Sequence, residues 1–432
     1  MLSLAQITAI LAFTGAVVAT PLPLGKWAHV LSRYTWHKGS DLVQGTVSLD
    51  HARRSVHSHN GPLELLKVRA KYSIESSPKL VEAAKRQAKR LSSLKARGLT
   101  GSVPIRQSFN FQNEKLIEVQ VGSQKLSTTL GLAGADTFVF SNLQPKNQLK
   151  GHRFYNVDPA KEKKGYSYGQ NFNGGSSPVV GKVYTDTFKI GELSTQVVFA
   201  AATNASKSWY EDDGVDGYIG LGFYKYANGI QPERQLTFFD NLKKSLAKPI
   251  FATALRFNTT GKFDFGFIDQ ALVDSPFTYV DGIDDGWGHW ACMTDGFSIG
   301  PQTQITKRDM KIHLDTATAG VYAQPDIVAS YWSRVPGAHF DTDNQGYVYP
   351  CNAKNMPLLT FTVKGARQAI NGDSLRFSAL DDEGKVCWGG LQNIGGGVDF
   401  GLFGTPFIEN KYIVFDVTKE NGTVGFAKMK GY

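Results

Sequence analysis

A chain of 432 residues has room for two ordinary domains or one large two-lobed unit with a full-sized core. Its 12% aromatics, 45 glycines and 20% charged residues are those of a globular protein, and no apolar run is long enough for a membrane span. The net charge of +9 would suit a nucleic-acid partner, but residues 20–100 hold 15 Lys/Arg against 5 Asp/Glu, which leaves the remainder at −1. The basic character belongs to one segment, so no nucleic-acid partner is expected.

Taken in chain order, residues 4–19 (LAQITAILAFTGAVVA) are a short apolar stretch ending in small residues, with Val17 and Ala19 spaced as at a signal-peptidase site. Residues 1–19 are therefore expected to be a signal peptide, although no Lys or Arg precedes the apolar run. Residues 20–103 read as a basic propeptide: KLVEAAKRQAKRLSSLKARG carries the dibasic pairs Lys85-Arg86 and Lys89-Arg90, which look like processing sites. Sequons at Asn204, Asn258 and Asn421 fit a secretory route, to the outside or to a vacuole.

From Pro104 onward, short alternating segments are broken by Gly, Asn and Asp, as in FNFQNEKLIEVQVGSQKLSTTLGL and YIVFDVTKENGTVGFAKM. These predict a mainly β protein. QLTFFDNLKKSLA has helical spacing. An internal repeat organises the rest: Gly131 is followed 89 residues later by Gly220, and Asp315 is followed 89 residues later by Gly404. Two lobes of one architecture are expected, 104–280 and 281–432, with both turns facing a central cleft. In an oxidising compartment Cys351 and Cys387 can pair, leaving Cys292 as a buried odd cysteine. The nine histidines show no H-x-x-x-H or Cys/His ligand spacing, so neither a metal site nor a cofactor is expected.

With VYTDTF, DGVDGYIGLGF, FFDNLKKSLAKPIF, FDFGFID, the Cys351–Cys387 pair and FGTPFIENKYIVFD, the chain after the basic segment resembles the pepsin-like aspartic proteases of the fungal secreted type. The resemblance implies a bilobal pepsin-like fold with a central cleft, a β-hairpin flap carrying a tyrosine, and one Asp-Thr-Gly turn from each lobe. In that family two close carboxylates share a proton; one activates water and the other protonates the substrate carbonyl. Here the first turn reads Gly131-Leu132-Ala133-Gly134, and the second reads Asp315-Thr316-Ala317-Thr318. The resemblance therefore implies that the first carboxylate is missing and the second is kept. Phe138 stands where the family has a tryptophan that holds the flap tyrosine, here Tyr168, and the tip beyond it is a longer, Asn/Gly-rich stretch.

Three functions compete for such a cleft. Without its carboxylate partner, Asp315 is poorly equipped for peptide hydrolysis, so residual endopeptidase activity is the weakest. A non-catalytic pseudoprotease needs only the groove and a peptide or protein partner. The third is acid/base chemistry, of cyclase or isomerase type, on a small molecule, as in fungal secondary metabolism; the apolar Leu132, Ala133, Phe138 and Ala317 favour this one. Half-buried and without its carboxylate neighbour, Asp315 could serve as general base or acid if desolvation raises its pKa. His313, two positions before Asp315 on a strand, is expected on the same side, giving catalytic candidates Asp315, His313 and Tyr168 in a monomeric protein.

Overall fold

The structure, a computed structural model, describes residues 47–50, 52–55, 60–72, 74–96, 113–172, 177–210, 214–256, 261–301 and 304–431. The expected signal peptide, the flap tip at 173–176 and the sequon at Asn258 lie outside the described residues. Among those residues the chain is mainly β, arranged in sheets of six, nine, seven and four strands. Strands such as Leu359–Val363 and Ile250–Ala254 are buried at every position, which explains their continuous β-branched, aromatic and apolar text. The six-stranded sheet joins strands from both halves of the sequence, including Ile250–Ala254 and Lys411–Asp416.

The 89-residue repeat is a strand register. Gln124–Gly131 runs parallel to Gly217–Gly220, pairing Gly131 with Gly220, and Thr137–Val139 closes antiparallel on the latter. In the second half Thr306–Leu314 runs parallel to Phe400–Phe403, pairing Leu314 with Phe403, and Val321–Ala323 closes in the same way. Gly220 and Gly404 are required at these crossings, because a Cβ would collide with the carbonyls of Gly134 and Thr318. The flap hairpin pairs Glu162–Phe172 with Ser177–Ile190, placing Tyr168 opposite Gly181.

The helix expected over QLTFFDNLKKSLA is shorter than its periodicity suggests. Thr237 caps Phe238–Leu242 by accepting the Asp240 N–H, and the chain tightens into a single 3₁₀ turn at Lys243–Ser245 before Pro249. Cys351 and Cys387 form a disulfide with Cα atoms 4.9 Å apart, and Cys292 is a buried free thiol.

The basic segment is docked on the protein. Residues 47–50 pair with Lys262–Phe265, and residues 52–55 pair with the strand Asn113–Val121. Helix α1 (Gly61–Lys71) follows, with Asn60 accepting the Leu63 N–H as its cap; helix α2 (Pro78–Ala96) lies beside it. Leu65, Leu66, Tyr72, Leu80 and Val81 share one apolar cluster with Tyr322, Trp388, Phe400 and Leu402 of the second half. At about 1.5–3 kcal/mol for each fully buried large apolar side chain, these contacts hold the segment firmly. Arg90 of α2 adds bonds to the carbonyls of Ala379, Leu380 and Asp381.

Candidate active site

The two repeat turns meet at the centre, where the Thr316 hydroxyl donates to the Leu130 carbonyl at 2.8 Å. Asp315 follows the strand Thr306–Leu314 and is 2% exposed. Its Oδ1 accepts the Ala317 N–H at 2.9 Å, and its Oδ2 accepts the Thr318 hydroxyl at 2.7 Å and Lys71 Nζ at 3.0 Å. Burial pushes the Asp315 pKa up, as expected from the sequence, but Lys71 and these hydrogen bonds outweigh it, and the net shift is downward. The condition of a raised pKa is therefore not met with α1 docked, because the Lys71 cation lies against the carboxylate.

Tyr72, the residue after Lys71, fills the neighbouring pocket. Its ring centroid lies 4.8 Å from Phe400, 5.5 Å from His289, 5.6 Å from His313 and 6.1 Å from Trp287. Lys71 and Tyr72 thus close the cleft at the carboxylate and beside it, and neither was singled out from sequence. The available signal was local: a lysine ends, and an aromatic follows, the leucine-rich helix GPLELLKVRAK in the basic segment.

At the opposite turn the side-chain space of Gly131 is filled. A Cβ built there would overlap the Tyr218 hydroxyl, and one on Gly134 would lie 2.8 Å from it. Tyr218 sits in the four-residue strand Gly217–Gly220, every position of which is buried. Burial raises its pKa well above the usual phenol value, with the Asp315 carboxylate and then Asp136 adding to the rise. Tyr218 is therefore a neutral donor under the field of two carboxylates. A phenol in a fully buried strand, GYIG, was the sequence signal for it.

The remaining expected residues take several positions. Leu132 and Phe138 are wholly buried in separate apolar clusters, so they are core side chains and do not face an open groove. Ala133 is half-buried and Ala317 exposed. Tyr168 is 3% exposed and shares its cluster with Phe138; its hydroxyl has no hydrogen-bond partner among the described residues. Asp136 accepts the Gly229 N–H at 3.1 Å, and burial raises it to about 6 despite that bond.

His313 is 1% exposed and faces Asp285, with Nε2 at 3.5 Å from Asp285 Oδ2; Asp315 is engaged by Lys71 instead. The expected His313/Asp315 pair is therefore two separate pairs. Sequence spacing also missed a convergence: one donor atom each from Asp285, His289 and His313 lie within 4.8 Å of one another. They come from the loop before the strand Trp290–Ile299 and from its antiparallel neighbour, where Ala291 pairs with His313. A search for histidines close in sequence cannot see a cluster assembled by strand pairing.

The profile described as "Eukaryotic aspartyl protease" matches residues 115–429. Aspartic protease pepA of Leptosphaeria maculans is 33% identical over 423 residues, covering 98% of this chain and 97% of its own. Endothiapepsin of Cryphonectria parasitica is 31% identical over 393 residues, covering 90% of this chain and 91% of its own. Penicillopepsin-1 of Penicillium janthinellum is 33% identical over 316 residues, covering 73% of this chain and 94% of its own. With a profile match over most of its length, paired parallel-strand turns and a disulfide in the second half, the chain belongs to the eukaryotic aspartyl protease family.

Proposed function

We propose that this family member does not hydrolyse peptides and that its cleft, once the Lys71–Tyr72 segment is displaced, performs acid/base chemistry on a small carbonyl-bearing molecule. The observation that carries this reading is the Tyr218 phenol occupying the side-chain space of Gly131. A proton-sharing pair of carboxylates needs a carboxylate on that turn, and the position offers neither the side chain nor the room. A neutral phenol donor with a carboxylate acceptor suits enolisation: Tyr218 donates a hydrogen bond to a carbonyl oxygen while Asp315 takes the α-proton. Returning that proton to another carbon isomerises or cyclises the substrate without any redox change. Tyr168, whose hydroxyl is uncommitted, is a second donor from the flap. The secretory route read from the N-terminus and sequons belongs to the same proposal, as does removal of the basic segment at the dibasic pairs of α2.

One observation favours a non-catalytic peptide-binding role: a stretch of this chain's own polypeptide already lies in the cleft, anchored by Lys71 and Tyr72. Incubation of the protein with enolisable polyketide- or terpenoid-type precursors separates the two. Turnover lost in both Asp315→Asn and Tyr218→Phe is the expected result, whereas saturable peptide binding without turnover favours the binding role. Cleavage of a denatured protein at acidic pH that depends on Asp315 would sink both.

A further inference from the structure

The geometry points to a divalent transition-metal site of the zinc type formed by Asp285, His289 and His313, in the pocket that Tyr72 plugs. Asp285 Oδ2 lies 2.6 Å from His289 Nδ1 and 3.5 Å from His313 Nε2. Four-coordinate ligation at about 2.0–2.2 Å sets neighbouring donors roughly 3.3 Å apart; the two distances to Asp285 Oδ2 bracket that spacing, and all three atoms lie within 4.8 Å of one another.

The orientation of the groups argues for more than a fortuitous cluster. Asp285 Oδ1 is held by the N–H groups of Trp287 and Gly288, each at 2.8 Å, and of His289 at 3.3 Å, which aims Oδ2 at the two imidazoles. A carboxylate fixed by backbone donors is the outer support that metal ligands ordinarily have. His313 Nδ1 is 3.4 Å from the Tyr72 hydroxyl, while its Nε2 is buried with no hydrogen-bond partner and faces Asp285 Oδ2. With the proton on Nδ1, a lone pair on Nε2 points at a carboxylate oxygen, an arrangement that a cation between them converts from repulsive to attractive. Burial disfavours the charged form of both imidazoles; His289 Nδ1, which donates to Asp285 Oδ2 as found, becomes a ligand once its proton moves to Nε2.

Lys71 is also a charge that lowers both histidines, so the docked α1 opposes a second cation. Displacing Lys71 and Tyr72 removes that charge and opens the fourth position to water or to a substrate oxygen. The site therefore suits a Lewis acid for a carbonyl, phenolate or carboxylate ligand, and metal binding and segment docking are antagonistic. It does not depend on the acid/base reading of Asp315 and Tyr218.

The test is a Co²⁺ titration of the tag-free, chelator-treated full chain, read by visible ligand-field absorption and by competition with Zn²⁺. The expected result is one equivalent of Co²⁺ displaced by Zn²⁺, with affinity about tenfold or more weaker in His313→Phe and Asp285→Asn. His339→Ala, at an exposed histidine, should leave the titration unchanged, and Lys71→Ala should tighten it. If His313→Phe fails to fold, His289→Gln takes its place with the same expected loss. Binding seen only in Lys71→Ala still supports the site. Absence of the band in both the full chain and Lys71→Ala, or a band indifferent to the ligand substitutions, overturns it.

Discussion

Lys71 Nζ lies 3.0 Å from Asp315 Oδ2 across 244 residues of sequence, and only 2% of the Asp315 side chain is exposed. Removing one partner of so buried a pair strands the other charge. Lys71→Met should lower the stability of the full chain by about 3 kcal/mol, at the lower end for a broken buried pair because Ala317 and Thr318 still serve the carboxylate. Urea unfolding measures it. Adding Asp315→Asn should recover part of the loss, and purely additive effects would show that the pair is not coupled.

Restoring a carboxylate to the first turn should harm the fold before it helps any chemistry. Gly131→Asp drives a side chain into the Tyr218 ring and should cost about 2–3 kcal/mol as overpacking. Combining it with Tyr218→Leu should return most of that loss, which thermal unfolding of the three variants would show. Proteolytic activity in Gly131→Asp alone would contradict the crowding argument.

Asp136 gives the stability a pH signature. Its folded pKa of about 6 lies above the unfolded value near 3.8, so its favourable contribution is complete below about 4 and is lost as pH rises through about 6. A shift of roughly two units corresponds to about 3 kcal/mol. The stability difference between wild type and Asp136→Asn should therefore change by that order between pH about 3.5 and 7, with the wild type losing ground as pH rises. A flat difference would mean that Asp136 titrates normally.

Tyr168 separates stability from activity. Its buried hydroxyl lacks a partner among the described residues, so Tyr168→Phe should be neutral or stabilise by up to about 1 kcal/mol. The same substitution should slow turnover if the hydroxyl serves the substrate. A clear loss of stability would reveal a structural bond instead.

The 36-residue loop closed by Cys351 and Cys387 implies an entropic contribution of about 3–4 kcal/mol. Replacing both with serine should lower stability by about that amount in chemical denaturation, with little effect on the cleft.

Much of the scaffold could be read from the text, because strand alternation and the 89-residue repeat are consequences of backbone pairing: Gly131 opposite Gly220, Leu314 opposite Phe403. The cysteine pair was legible for a similar reason, both cysteines belonging to one compact region. The contents of the cleft were not. Lys71 reaches Asp315 only because α1 docks on the second half, and Tyr218 reaches the Gly131 turn only because parallel strands lie side by side. His313 was paired with Asp315 by counting along a strand, yet a loop 28 residues earlier supplies the carboxylate it meets.

The docked strands 47–50 and 52–55 cap the outer margins of two different sheets, alongside Lys262–Phe265 and Asn113–Val121. A cut within α2 therefore frees more than a plug from the cleft. If the severed peptide departs, two rows of backbone N–H and C=O groups lose their partners, and each becomes a template on which a second chain can add a strand. Were the basic segment cut and released, exposure of these two edges would couple its removal to strand addition by a second chain, and a cut peptide that stayed bound would prevent it.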